Sequence, residues 1–227
     1  TNKKMKDLIN IKYWIFDLDN TLYSGQSKVF EQVDKKMSAY ISKKLSVDLI
    51  KAKEIQKNYF HKYNTTLNGM IKNHQINPDE FLEFVHDIDI SFLKKDLLLR
   101  DELTKIKEKK YIFTNGSHIH AKNVIKQLGI NGLFDGIFDI VDSDFIPKPS
   151  IEAYKKIINK FNIDSQKTAF VDDIARNLKP AYELGMKTVW LENNEPWASK
   201  HSNEPYIHFR TKVLSDFLKQ VNIHKAA

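Results

Sequence analysis

The sequence contains no cysteine. Disulfide frameworks, thiolate nucleophiles, zinc ribbons and iron–sulfur clusters are thereby excluded together. Long apolar runs are missing too: nothing approaches the roughly 18 residues that a membrane-spanning helix needs. The opening segment, TNKKMKDLINIKYWIF, puts basic positions ahead of apolar ones as a signal peptide does. Asp17 and Asp19 fall where the apolar region would continue, however, and no small-residue cleavage site follows. The expectation is a cytoplasmic protein. Concentrated charge is also absent. The net charge is +7, but the first twelve residues hold four Lys against one Asp, and the remaining excess is spread thinly. A nucleic-acid-binding module gathers its charge on one face, often among aromatics, so neither a nucleic acid nor a membrane is expected as partner. A diffuse basic field still helps to draw in a small anionic substrate.

What is present suits a folded enzyme. The chain has 227 residues, 41% apolar and 29% charged, the size of one domain or of a catalytic domain carrying an insertion. Such a chain buries about 70–75% of its unfolded surface and needs no staples. Short apolar, β-branched and aromatic runs at Tyr13 to Phe16, Tyr111 to Phe113, Ile137 to Val141, Ala169 to Val171 and Thr188 to Leu191 read as buried strands, with Ile207 to Phe209 as a further edge strand. Their near-continuous apolarity suits a parallel sheet covered on both faces. Helical periodicity lies between them, around 97–107, 118–128, 150–161 and 175–184, with Gly129 and Gly185 at the expected C-caps. The spacing predicts a doubly wound α/β fold with a mainly parallel sheet. Residues 24–96 break the alternation with helical runs at 28–45, 48–60, 65–73 and 78–87, and predict an inserted all-helical cap domain. The core is then 1–23 with 97–227, and the insertion stands over the carboxyl ends of the strands, where ligands bind.

Four consecutive strand ends carry polar elements. The first closes in Asp17-Leu18-Asp19, two carboxylates that are costly there unless a cation or substrate compensates them. Such a pair can divide nucleophilic attack from proton transfer, although an isolated D-x-D also fits an Asx turn. The second closes in Thr114-Asn115-Gly116-Ser117, either a phosphate cradle at a helix N-terminus or an ordinary turn with Ser117 as N-cap. Lys148, between Pro147 and Pro149, is either a fixed positive charge for phosphate or a surface lysine. The fourth closes in Asp172-Asp173, which suits a hard divalent cation, most simply Mg²⁺. Helix capping explains one of these aspartates but not both acidic strand ends together. All four elements lie on one sheet edge, which makes a set of parts for phosphoryl transfer.

The motifs that carry these residues resemble the haloacid dehalogenase (HAD) superfamily: FDLDNTLY at 16–23, FTNGS at 113–117, PKPSIEAY at 147–154 and FVDD at 170–173. The helical insertion resembles a type C1 cap. TTLNGMI at 65–71, VHDID at 85–89, FTNGSHIHA at 113–121 and DDIARNL at 172–178 are similar to pyrimidine 5′-nucleotidase-type members. The resemblance implies an HAD-like Rossmannoid core with Asp17 as nucleophile and metal ligand. Asp19 would be the acid and then the base, with its backbone carbonyl on Mg²⁺. Thr114 and Asn115 would hold the phosphoryl group, and Lys148 would neutralise it and Asp17. Asp173 would be the direct metal ligand, with Asp172 reaching the metal through a water. Two positions depart from the subfamily pattern: Asp172 stands where Glu is frequent, and Asn68 where relatives often carry a basic residue.

Around this set, Phe60, His61, Tyr63, Asn64 and Asn68 are candidates to face a base or sugar, with cap core as the default for Phe60 and Tyr63. His118 and His120 read as structural or supporting rather than metal-binding. His86, Asp87 and Asp89 orient the helix leaving the cap, and Tyr23 packs at its hinge. The function expected is Mg²⁺-dependent hydrolysis of nucleoside 5′-monophosphates, with pyrimidines favoured, by a monomer or weak homodimer acting on a small phosphate monoester. A broad sugar-phosphate phosphatase or a phosphomutase would use the same parts. A dehalogenase would need neither Asp19 nor the Asp172–Asp173 pair, and a purely binding role would leave the whole set idle.

Overall fold

The computed structural model describes residues 2–24 and 28–227. The chain opens with one helical turn, α1 (Asn2–Met5), and enters the sheet as β1 (Tyr13–Phe16). Next come α2 (Lys28–Leu45), α3 (Leu49–Tyr63), α4 (Thr66–His74) and α5 (Pro78–His86). Helix and strand then alternate through α6 (Leu97–Lys105), β2 (Lys109–Phe113), α7 (His118–Gln127), β3 (Gly136–Phe138), α8 (Ile151–Phe161) and β4 (Thr168–Asp172). The chain finishes with α9 (Leu178–Glu183), β5 (Lys187–Leu191), α10 (Pro196–Ser199), β6 (Phe209–Thr211) and α11 (Leu214–Ala226). Among the described residues the strands form one sheet in the order β3-β2-β1-β4-β5-β6, every neighbouring pair parallel. This is the expected doubly wound α/β fold with a helical insertion. Winding reverses between β1 and β4, where an open parallel sheet forms its ligand crevice.

The strands are apolar throughout because helices cover both faces. Trp14 and Phe16 face one side with Ile112, Val171 and Val189, against α6, α7 and α11. Ile15 faces the other with Phe113, Phe170 and Trp190, against α8 and α9. The inserted helices build a separate apolar cluster from Val33 and Ile41 of α2, Ala52 of α3, Met70 of α4 and Phe81 and Val85 of α5, joined by Ile140 from the loop after β3. Side-chain caps fix where those helices start: Asp48 accepts from the Lys51 N–H, Thr65 from Asn68, and Asn77 from Asp79 ahead of Pro78.

Two elements differ from the sequence expectation. The strand read over 137–141 ends at Phe138, because Asp139 leaves the ladder: its carboxylate accepts the N–H groups of His118 and Asp142, and its own N–H donates to Asp142. The edge strand read at 207–209 runs instead over Phe209–Thr211, where it meets Val189 to Leu191 of β5. The first helix after β4 starts as a 3₁₀ turn, Ala175–Asn177, before α9. Gly129 and Gly185 follow α7 and α9 with φ of 74° and 88°, the left-handed values that favour glycine. The start of the insertion expected from residue 24 falls partly on 25–27, outside the described residues. No described helix is long and apolar enough to cross a membrane.

Candidate active site

The carboxyl ends of β1, β2 and β4, with the loop before α8, bring the expected residues together around Lys148. Its ammonium group donates to Asp17 Oδ1 at 2.9 Å, to Asp172 Oδ2 at 2.9 Å and to the Phe113 carbonyl at 2.8 Å. The lysine is 2% exposed, so this is no surface residue. A full buried charge needs such company, since each unpaired ion costs several kcal/mol. Burial works against its protonation, but Asp17 and Asp172 outweigh that and push Lys148 above the usual lysine range.

The four aspartates are held in different ways. Asp17 accepts from Lys148 on one oxygen and from the Thr21 hydroxyl on the other, at 2.9 Å. Burial and the neighbouring Asp172 nevertheless push it up to about 7 against the pull of Lys148. Asp172 is saturated by Lys148, the Ile174 N–H and the Asn177 amide. Asp173 accepts from the Asn193 amide at 2.8 Å, and burial beside Asp17 and Asp172 drives it well above the carboxylate range. One oxygen from each of Asp17, Asp172 and Asp173 lies within 4.8 Å of the others. Three buried hard oxygen donors with one lysine among them leave negative charge uncompensated. That donor set fits a divalent cation such as Mg²⁺.

Asp19 points elsewhere. Its Oδ1 accepts from the Tyr23 hydroxyl at 2.6 Å and lies 2.7 Å from His120 Nε2. Burial raises its pKa, but His120 and Tyr23 outweigh this and hold it down at about 2. The same contact raises His120 against the effect of its burial. Asn20, left-handed at φ 63°, turns the chain between the Asp pair and α2.

Thr114 is buried and its hydroxyl accepts from the Gly116 N–H at 2.9 Å. Asn115 clamps the backbone of Lys148: its Oδ1 accepts the Lys148 N–H at 2.8 Å and its Nδ2 donates to the Lys148 carbonyl at 3.3 Å. The amide therefore aims the lysine. Ser117 is the N-cap of α7, as one reading of that turn had it. Among the insertion residues singled out, Phe60 reaches the core: its ring meets Trp197 edge-on at 5.9 Å and lies 5.1 Å from the Arg176 guanidinium, while Phe30 stacks on Trp197 at 5.8 Å. His61 meets Phe60, Tyr63 faces Tyr59 and Asn73, Asn64 is the left-handed C-cap of α3, and Asn68 donates to the Tyr63 carbonyl. These last three shape the α3–α4 turn. His118 uses its backbone N–H, on Asp139.

Sequence reasoning gave no role in the site to Thr21, Asn177 or Asn193, read His120 as structural or supporting, and saw Tyr23 only as hinge packing. Thr21, Asn177 and His120 sit inside segments that carry the family resemblance, so a signal existed. Asn193 had none.

A family model described as a haloacid dehalogenase-like hydrolase matches residues 11–185. Phosphate metabolism protein 8 of Saccharomyces cerevisiae is 33% identical over 193 residues, 77% of this chain, and the match spans 60% of the yeast protein's own length. Glyceraldehyde 3-phosphate phosphatase of Methanocaldococcus jannaschii is 26% identical over 197 residues, covering 79% of this chain and 84% of that protein. The fold is similar to the magnesium-bound HAD-hydrolase YfnB of Bacillus subtilis, with a TM-score of 0.58 at 18% identity over 93% of this chain and 99% of that one. With the family model covering most of the chain, and strand ends that carry its motifs, this protein is an enzyme of the haloacid dehalogenase-like hydrolases.

Proposed function

We propose that the protein is a Mg²⁺-dependent phosphomonoesterase that hydrolyses nucleoside 5′-monophosphates, with pyrimidines favoured, through an aspartyl-phosphate on Asp17. The observation that carries this reading is Lys148 bridging Asp17 and Asp172 with Asp173 beside them. A carboxylate nucleophile held by a fixed cation is suited to a phosphoryl group, whose barrier falls chiefly through positioning and charge compensation.

Asp17 attacks phosphorus; the bond to the leaving oxygen breaks, and its electron pair stays on that oxygen, which takes a proton from Asp19, a carboxyl that takes up this proton when the anionic phosphate binds, against the pull of His120 and Tyr23. Asp19, now a carboxylate, removes a proton from the water that attacks the phosphorus of the aspartyl-phosphate. The Asp17–phosphate bond then breaks, freeing inorganic phosphate and restoring both carboxyls. Lys148 holds Asp17 during attack and faces the charge that develops. The Thr114 hydroxyl and the Asn115 backbone N–H receive the phosphoryl oxygens, since the Asn115 amide is occupied by Lys148. Asp17, Asp173, the Asp19 carbonyl and, less directly, Asp172 would hold the metal, which supplies positive charge against the transferring group. Asp173 is the better direct ligand because Asp172 is already taken by Lys148 and Asn177.

The insertion over 24–96 is, in this reading, a type C1 cap that closes over the strand ends. Phe60 with Trp197 and Arg176 presents flat apolar and cationic surface at the seam with the core, which suits a planar base. The name of the archaeal relative favours a second reading, a sugar-phosphate phosphatase with the same mechanism. Phosphate release from a panel of nucleotides and sugar phosphates, with Mg²⁺ or EDTA, separates the two. UMP or CMP turnover that requires Mg²⁺ is expected. Preference for sugar phosphates would move the specificity, and silence on every monoester from folded, Mg²⁺-loaded protein would defeat the phosphatase reading.

A further inference from the structure

Lys148 touches neither Asp173 nor Asp19, and the fixation of Asp19 has an unusual form. Both of its donors meet the same oxygen: the Tyr23 hydroxyl at 2.6 Å and His120 Nε2 at 2.7 Å converge on Oδ1. No other described residue donates to its Oδ2. One oxygen is clamped and the other is free for chemistry. The clamp is nearly dry, since Tyr23 and His120 are both buried.

Tyr23, and the ring that backs His120, come from the two places where the chain crosses between the sheet and the inserted helices. Tyr23 stands on the outgoing crossing, just before α2. On the returning crossing, His86 ends α5 and stacks flat on His120, with ring centroids 4.3 Å apart and planes 7° apart. His86 Nδ1 lies 3.0 Å from the Ser117 hydroxyl, and that oxygen also accepts the His120 N–H. Both rings border a cavity of about 450 Å³ walled by the returning chain at Ile88, Ile90 and Leu93, so the pair is packed on the Asp19 side and has room on the other.

We propose that Tyr23, His120 and His86 are positioning residues that fix Asp19 with Oδ2 toward the leaving oxygen, and that they tie this orientation to the placement of the inserted helices. The inference rests on the reading above in which Asp19 protonates the leaving group. It predicts a selective defect. A misplaced acid harms substrates whose leaving oxygen is basic and must be protonated as the bond breaks, and harms others less.

The test compares kcat/KM, which ends at departure of the leaving group, for phenyl phosphate and 4-nitrophenyl phosphate. It uses wild type, Asp19→Asn, His120→Ala, His120→Asn, His86→Ala and His86→Phe, each checked for folding by circular dichroism. His120→Ala is expected to lose about tenfold or more on phenyl phosphate beyond its loss on 4-nitrophenyl phosphate. His120→Asn, which keeps a donor, recovers part of that gap, and His86→Phe, which keeps a flat ring, shows a smaller gap than His86→Ala. Equal losses on the two substrates in the His120 variants, while Asp19→Asn discriminates strongly, would reduce His120 to packing and overturn the inference alone. An Asp19→Asn variant that does not discriminate would remove the acid role itself, and the inference with it.

Discussion

The sheet edge and the inserted helices bury polar side chains of different kinds. At the edge, Asp17, Lys148, Asp172 and Asp173 are charged or chargeable groups held almost out of water. Among the described residues of the insertion the buried polar ones are Ser38, Gln56 and Thr66. There the Ser38 hydroxyl donates to Gln56 at 2.5 Å and the Gln56 amide to Asp34 at 2.7 Å, while ion pairs such as Lys35–Glu31 stay at the surface. Hydrogen bonds of that kind, one neutral and one to the partly exposed Asp34 carboxylate, are enough to hold helices together. Burying several like charges costs far more, so the edge has an arrangement that packing alone would not select. The difference separates where the chemistry resides from what supports and selects.

The contrast breaks most sharply at Lys148. Lys148→Met keeps the volume but strands Asp17 and Asp172 without a cation. Metal-free protein is expected to lose about 3–5 kcal/mol, the usual cost of breaking a buried ion pair from one side, in urea unfolding at pH 7, along with phosphatase activity. A loss under about 1 kcal/mol would mean that the aspartates do not depend on it.

Next in size is the response to metal. Asp17, raised to about 7, and Asp173, raised well above the carboxylate range, lie above their ordinary 3.8. Their protonated forms therefore favour the fold. In EDTA this contribution is fully present below about pH 4 and is lost as pH rises through about 7. Metal binding needs the same carboxyls deprotonated. The gain in Tm from Mg²⁺ should accordingly grow from about pH 5 to about pH 8. Asp173→Asn should abolish the gain while raising the Tm in EDTA at neutral pH. Thermal melts across that range decide it, and a pH-independent gain would place the ion elsewhere.

Smaller effects belong to the insertion. Phe60→Ala, at the seam, should raise KM for a nucleoside monophosphate by about three- to tenfold and leave kcat nearly unchanged, as expected when binding shared by ground and transition state is removed. Steady-state kinetics on UMP read this directly. Smallest is Gln56→Leu, which leaves the Ser38 hydroxyl without its acceptor and should cost about 1–2 kcal/mol by urea unfolding with kcat untouched.

Much of this was legible in the sequence, for physical reasons. Acidic pairs at the ends of apolar strands identify buried charge without coordinates, which is why Asp17, Asp172, Asp173 and their edge could be read. The helical runs of the insertion were visible because apolar period and capping residues agree, as at Asp48, Thr65 and Asn77. Contacts between distant segments were not visible. His120 meets Asp19 across 101 positions and His86 meets Ser117 across 31, and neither pairing leaves a local pattern. Asn115 illustrates a different limit: its place in the motif suggests a phosphate ligand, but only the structure shows its amide engaged with Lys148. The shortened third strand follows from a three-residue exchange at Asp139 that strand propensity does not register.

The central claim is that Asp17 takes the phosphoryl group. The most direct measurement is mass spectrometry of protein acid-quenched during turnover in ¹⁸O-water. The account predicts a transient phosphoryl group on the peptide that holds Asp17, absent in Asp17→Asn, with label appearing in released phosphate and none in the Asp17 carboxyl. Label in that carboxyl, or turnover with no phosphorylated peptide, would contradict it.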